Sequence, residues 1–300
     1  MKKYGFGVDI GGTTCKIGFF ETSGKLLDKW EIHTNTENNG ASILNDVAES
    51  IAQKLEKDGI SKEDVQGIGV GVPGPVKANG IVNRCVNLGW DVFNVADSLT
   101  TKTGLPVKAG NDANVAALGE MWQGGGKGHK DVVMVTLGTG VGGGIIIDGK
   151  IYEGKGLGGS ELGHMVIVEN GEPCTCGRRG CLEAYASATA LKRDAKRATG
   201  RELTPEEIFK GAQEGDEKLL QVVQSYIGKL GTGIINIVNI FRPQLVILGG
   251  GVSAQGETLL DPLREMMKVG CFGGEKGELP EIETAALGNE AGMIGAASLL

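Results

Sequence analysis

The segment ELGHMVIVENGEPCTCGRRGCLE carries His164, Cys174, Cys176 and Cys181 between two glutamates, Glu161 and Glu183. Three thiolates and one imidazole make a complete tetrahedral donor set for zinc, and the glycines between the cysteines let the chain double back. A closed set of four protein ligands leaves no position for a reacting water, so such a zinc is structural. The alternative is a trio of buried or redox-active thiols. With zinc in place, the loop 164–181 would fix Glu183 and, through His164, Glu161. That makes a rigid wall of two carboxylates and an imidazole, groups that hydrogen-bond the hydroxyls of a sugar.

Two glycine-rich turns suggest anion chemistry. DIGGTT at 9–14 and TLGTGVGGG at 136–144 each place glycines and threonines between two apolar runs. Consecutive glycine N–H groups can converge on one point and hydroxyls add donors, which makes a cradle for phosphate. Asp9, at the end of an apolar run, is placed to hold magnesium through water beside such phosphates. A tight hairpin with no ligand is the competing reading of either turn alone. Neither is a Walker loop, because the G-x-x-x-x-G-K-[ST] pattern is absent. A third cluster, ILGGGVSAQG, satisfies G-x-G-x-x-A at 249–254. A dinucleotide site would also need a carboxylate about 20 residues on after a second strand, which is missing. A glycine platform for a base or ribose is the better account. In KAGNDANVAALGE, Asp112 stands where a strand gives way to a helix. There it serves either as an N-cap, in competition with Asn111, or as a base that takes the proton of a substrate hydroxyl.

The elements that must position these residues alternate. Strands are expected at 3–9, 16–20 and 26–33, and a helix at 41–57 with Ile43, Leu44, Val47, Ile51 and Leu55 on one face. VQGIGVGV reads as a buried strand, 94–104 as a helix, LPVKAG as a short strand, and 111–122 as a further helix. Then an apolar run, Gly/Thr turn and apolar run recur in VVMVTLGTGVGGGIIIDGK, as in GFGVDIGGTTCKIGFF, which points to two halves of related architecture. Downstream, 183–197 reads as a helix, 216–241 as one or two buried helices ended by Pro243, QLVILGG as a strand, and 290–300 as a small-residue helix. This is an α/β pattern with a mixed sheet.

The bulk properties exclude some functions. A formal net charge of −7 over 300 residues argues against a nucleic-acid or membrane-surface partner. The 52 glycines have no collagen period and cluster at the ends of apolar runs, which suggests turns where backbone approaches a ligand. No apolar run reaches about 18 residues, and MKKYGFGVDIGG leaves no room for a signal peptide. With six cysteines (15, 85, 174, 176, 181 and 271) and no export signal, a reduced, cytoplasmic chain is expected.

Taken together, GVDIGGTTCKIG, GIGVGVPGPV, NDANVAALGE, TLGTGVGGGI and GGSELGH with CTCGRRGCLE resemble the ROK family (repressor, open reading frame, kinase), nearest in pattern to its bacterial glucokinases. The resemblance covers essentially the whole chain. It implies the actin-like ATPase fold: two ribonuclease-H-like α/β domains around a central cleft, taken here as 1–110 (with the helix 288–300 joining it) and 111–287. It implies ATP-dependent phosphorylation of the 6-hydroxyl of glucose with Asp112 as general base. Gly71, Asn87, Asn111, Asp112, Glu161, His164 and Glu183 match sugar-binding positions. Asp9, Gly11, Gly12, Thr13, Thr14 and Lys16, with Thr136, Gly138, Thr139 and Gly140, match the phosphate turns, and Gly249, Gly250 and Gly251 the adenosine side. The cofactors implied are ATP, magnesium and a structural zinc on His164, Cys174, Cys176 and Cys181, and the assembly implied is a homodimer. Zinc loss is then expected to injure sugar binding ahead of nucleotide binding. Kinases for N-acetylmannosamine, N-acetylglucosamine or fructose share the pattern. ROK repressors carry a helix-turn-helix domain ahead of the kinase-like part; the first phosphate turn, beginning by residue 9, speaks against that reading.

Overall fold

The structure is a computed structural model that describes residues 2–155, 160–277 and 279–300. Gly158 and Gly159 of the GGSELGH motif lie outside the described residues. The chain divides into two compact units. One comprises Met1–Lys127, Ile151–Gly159 and Asn289–Leu300; the other comprises Gly128–Lys150 and Ser160–Gly288.

The first unit is built on β1 (Tyr4–Ile10), β2 (Thr14–Glu21), β3 (Leu26–His33), a distorted turn α1 (Glu37–Gly40), α2 (Ile43–Lys57) and β4 (Val65–Val72). A small hairpin of β5 (Ile81–Val82) and β6 (Phe93–Asn94), then α3 (Val95–Thr103), β7 (Val107–Asn111) and α4 (Asp112–Gln123), complete it. The sheet runs β3-β2-β1-β4-β7, with β1–β2 and β2–β3 antiparallel and β1–β4 and β4–β7 parallel. β1 and β4 are almost wholly buried, as strands covered on both faces must be. Val47, Ile51, Leu55 and Leu99 share one core with Phe6, Val8, Ile17 and Val70. The edge strand β3 instead presents Asp28, Lys29 and Glu31 to solvent, which discourages pairing with another chain.

The second unit holds β8 (Val132–Leu137), β9 (Val141–Ile147), β10 (Lys150–Ile151), α5 (Glu183–Ala186), α6 (Ala188–Thr199), α7 (Pro205–Gln213), α8 (Glu217–Phe241), β11 (Leu245–Gly249), α9 (Glu257–Gly270) and β12 (Glu281–Thr284). Its sheet runs β10-β9-β8-β11-β12. The layout repeats that of the first unit: a hairpin whose opening strand is continued by two parallel strands. The duplication read from the two Gly/Thr turns is therefore present in the topology. α8 is one helix, capped by Asp216 and ended at left-handed Arg242 before Pro243. Its Leu230, Ile234 and Val238 pack in one core with Val133, Val135, Val246 and Leu248. No helix among the described residues is long and apolar enough to cross a membrane.

α10 (Ala291–Ala297) returns to the first unit and packs on β1, β4 and α4. Its backbone lies so close that a Cβ on Gly69 would collide with Ala296 O, one on Gly7 with Met293 O, and one on Gly119 with Ala291 O. These glycines serve helix docking, so the reading of glycines as markers of ligand approach holds for only part of them. The same docking keeps α4 in the first unit, and the division falls at Lys127 rather than the expected 110. The helix expected over 183–197 is two, because Ser187 adopts an extended backbone (ψ 161°) and caps α6 through Ala190 N–H.

Candidate functional site

In the first unit the parallel strands β1, β4 and β7 end side by side. Asp9 pairs with Gly71, and Val72 with Asn111, whose successor Asp112 opens α4. The competition for the cap is resolved: Asn111 Oδ1 accepts from Asn114 N–H at 3.1 Å and is the N-cap. Asn111 Nδ2 donates to Gly74 O (3.1 Å) and to Asp112 Oδ1 (3.0 Å), and Ala113 N–H donates to the same Asp112 oxygen at 2.7 Å. Asp112 is thus not consumed as a cap but is held in place by its neighbours. Gly71 lets α4 pack closely on β4 beside the carboxylates: a Cβ there would stand 2.7 Å from Val115 Cγ2, 3.6 Å from Asp9 Oδ1 and 3.8 Å from Asp112 Cα. Burial, and then the charge of Asp112, push the Asp9 carboxyl up to about 6, against the opposing pull of Lys16. A cation beside Asp9 would relieve both carboxylates, which fits a magnesium position.

The turn between β1 and β2 is tied by its carbonyls. Gly11 O accepts from the buried Thr34 hydroxyl at 2.8 Å, and Thr13 O from Thr34 N–H at 2.9 Å. The N–H groups of Gly12 and Thr13 make no hydrogen bond among the described residues and sit at the surface. Lys16 follows on β2 opposite Asp9, its Nζ donating to Asn289 O. Asn87 is exposed on a short 3-10 turn, Val86–Leu88, and its carbonyl lies 3.9 Å from where a Gly12 Cβ would be. Trp90 anchors that turn by donating to Gly40 O at 3.1 Å.

The second unit repeats the arrangement. In the β8–β9 turn, which follows Thr136 of β8, Gly138 O accepts from Ala188 N–H (2.8 Å) and Thr139 O from the Thr189 hydroxyl (2.7 Å). The N–H groups of Thr139 and Gly140 again make no hydrogen bond among the described residues. Gly249 ends β11 beside Thr136, and Gly250, at φ 83°, lies against Leu137 so closely that a Cβ would be 2.6 Å from its carbonyl. Gly251 begins a 3-10 turn rather than an α-helix, which removes the dinucleotide reading of this cluster.

His164, Cys174, Cys176 and Cys181 converge, with their donor atoms all within 4.8 Å of one another. Cys176 Sγ and Cys181 Sγ are 3.7 Å apart, as are Cys174 Sγ and His164 Nδ1. Bonds of about 2.3 Å at the tetrahedral angle require sulfurs roughly 3.8 Å apart, so the donor set fits zinc. Hydrogen bonds from Arg178, backbone first, bring the Cys176 thiol down to about 6, while burial raises Cys174 and Cys181. With Nδ1 turned to the sulfurs, Nε2 of His164 is the nitrogen left for another partner. Glu161 directly precedes the 3-10 turn Leu162–His164. Glu183, at the start of α5, accepts from Val141 N–H (3.1 Å) with one oxygen and from the Thr175 hydroxyl (2.8 Å) with the other. Sequence reasoning did not find Thr34, Thr175, Ala188 or Thr189, which hold the site without a motif of their own.

The first unit thus carries a carboxylate pair beside one glycine turn, and the second a zinc-type cluster beside another. The chain belongs to the ROK family, whose pattern it matches over residues 5–300. It is 41% identical to a glucokinase of Halalkalibacterium halodurans, over 96% of this chain and 92% of that one. It is 36% identical to a glucokinase of Thermotoga maritima, over 98% and 96% respectively. A ROK family glucokinase from Streptomyces griseus, solved in complex with glucose and AMPPNP, superposes with a TM-score of 0.81 at 34% identity, covering 99% of this chain and 98% of that one. The two units with their matching sheets are those of the actin-like ATPase fold.

Proposed function

We propose that this protein is a glucokinase that transfers the γ-phosphoryl group of ATP to the 6-hydroxyl of glucose. The observation that carries the reading is the division of labour at the start of α4: Asn111 caps the helix, while Asp112 is held by donors that include Asn111 and Ala113 and is placed to take a hydroxyl proton. In this reading Asp112 accepts the proton as the sugar oxygen attacks phosphorus. Asn87, Asn111, Glu161, His164 Nε2 and Glu183 bind the other hydroxyls, and Gly71 lines the same pocket. A carboxylate has several lone-pair sites, so Glu183 can accept from a sugar while holding Val141 and Thr175. The free N–H groups of Gly12, Thr13, Thr139 and Gly140 receive phosphate oxygens, with Gly11, Thr14, Lys16, Thr136 and Gly138 shaping the same turns. Gly249, Gly250 and Gly251 form a flat surface for the adenosine. Magnesium, held near Asp9 through water, offsets phosphate charge when bound. Zinc on the four-ligand cluster is structural and orients His164.

A coupled ADP-release assay across hexoses and amino sugars tests this. Glucose is expected to show the highest kcat/KM; a preference for N-acetylmannosamine, N-acetylglucosamine or fructose would overturn the glucokinase assignment within the family. The reading further places the enzyme in the cytoplasm at the entry of glucose into glycolysis, as a homodimer. Support for self-association comes from Ile240, Val269 and Phe272, apolar side chains 67%, 81% and 90% exposed near the ends of α8 and α9. Light scattering giving a mass of one chain would remove the dimer.

A further inference from the structure

Glu183 joins two parts of the second unit that the reaction scheme treats as separate. One carboxylate oxygen accepts from Val141 N–H, immediately after the phosphate turn, and packs so tightly on Gly140 that a Cβ there would collide with it. The other accepts from the Thr175 hydroxyl at 2.8 Å, and Cys174 Sγ lies 3.6 Å from it. Thr175 is the residue between two of the metal-type ligands, Cys174 and Cys176. A single side chain therefore spans from the cluster loop to the backbone of the β8–β9 turn.

We infer that Thr175 is a positioning residue for the nucleotide: it holds Glu183 against Val141 N–H and so sets the turn whose Thr139 and Gly140 N–H groups receive phosphate. Among the described residues, three hydrogen bonds tether the phosphate turn to α5 and α6. Ala188 and Thr189 hold the carbonyls of Gly138 and Thr139, both from α6. Glu183 acts on the C-terminal side of the turn, where Gly163 also packs against Val141 O, and its second oxygen reaches the cysteine loop through Thr175. If Glu183 swings away, Val141 N–H loses a charged acceptor and Gly140 loses the surface that fixes its peptide plane, while β9 and the sugar-facing His164 keep their other contacts. Occupancy of the cluster would thus be felt by ATP as well as by the sugar.

This inference rests on the reading of the β8–β9 turn as a phosphate site. The test compares wild type with Thr175→Val, which removes the hydroxyl at similar size, Thr175→Ser, which restores it, and Gly140→Ala, which displaces the carboxylate from the other side. Zinc content, ATP binding with magnesium, glucose binding without nucleotide, and both KM values are measured on the full-length protein. Thr175→Val is expected to keep its zinc, to raise the glucose KM only slightly because Glu183 is also a sugar ligand, and to raise the ATP KM more, roughly fivefold, the size of one modest hydrogen bond. Thr175→Ser should return to wild-type values, and Gly140→Ala should raise the ATP KM with zinc retained. An unchanged ATP KM in Thr175→Val, or equal loss of ATP and glucose binding in both Thr175→Val and Gly140→Ala, would overturn the inference. Should Thr175→Val lose zinc, Gly140→Ala decides: an unchanged ATP KM there overturns it. Failure of the wild type to bind ATP would instead overturn the phosphate-site reading itself.

Discussion

Asp112 and its neighbour show how a helix start can be divided between structure and chemistry. Asn111 supplies the cap and lends a donor to Asp112. Asp112→Asn should therefore leave the helix intact, and a kcat lower by roughly 10²-fold or more with little change in glucose affinity is expected from loss of the base; near-normal turnover would return Asp112 to a purely structural role. Asp9 carries a different burden. The folded protein holds its proton up to about pH 6, whereas the unfolded chain releases it near 3.8, so stability falls as pH rises through that window. The cost above pH 6 is about 1–3 kcal/mol, the upper figure reduced by partial solvent access. In metal-free buffer, Asp9→Asn should melt several degrees above wild type at pH 8, with the gap closing below pH 4, while its activity at pH 8 drops. Equal melting temperatures at pH 8 would mean that the Asp9 charge is already compensated.

At the scale of elements, the two glycine turns were legible because their chemistry is local: glycines and threonines between two apolar runs. What holds them was not. Thr34 reaches its turn across 23 residues of sequence, and Thr189 reaches Thr139 across 50, separations that no local pattern encodes. By contrast, Thr204-Pro205 with Glu207 forms a capping box that opens α7, a signal present in TPEE and available to sequence reading. The glycines misled in one respect: Gly69 and Gly119 are required by the α10 backbone, not by a ligand. Within the β8–β9 turn, glycines differ in their reason for being there. A Cβ on Gly138 meets nothing, whereas one on Gly140 meets Glu183. Gly138→Val should thus fold normally, measured by melting temperature and by calorimetric glucose binding, yet lose ATP affinity by tenfold or so through collision with phosphate. A large drop in melting temperature would show that Gly138 is structural after all.

For the whole molecule, the duplicated α/β design and the metal-type cluster followed from residue types and spacing, while the division at Lys127 depended on contacts between distant segments. The cluster makes a global prediction. Purified protein should contain about one zinc per chain, and Cys176→Ser should lose it. The original expectation that sugar binding suffers first is modified by the Thr175–Glu183 link: the glucose KM should rise through His164, the ATP KM should rise through the phosphate turn, and the melting temperature should fall. Elemental analysis showing a fully active, zinc-free wild type would remove the structural-zinc assignment.

The return of α10 to the first unit bears on the order in which a growing chain can mature. Every residue of the second unit is synthesised before Ala291–Ala297, the helix that covers β1, β4 and α4. While still attached to the ribosome, the N-terminal portion therefore lacks the helix that packs against Gly7, Gly69 and Gly119. The second unit meanwhile has all its strands. Maturation should run against the direction of translation, with the later-made unit reaching protease resistance first and the N-terminal one waiting for α10. Stalled nascent chains ending at Gly288 offer the comparison: proteolysis that spared the N-terminal portion as well as the rest would show that it closes without its last helix.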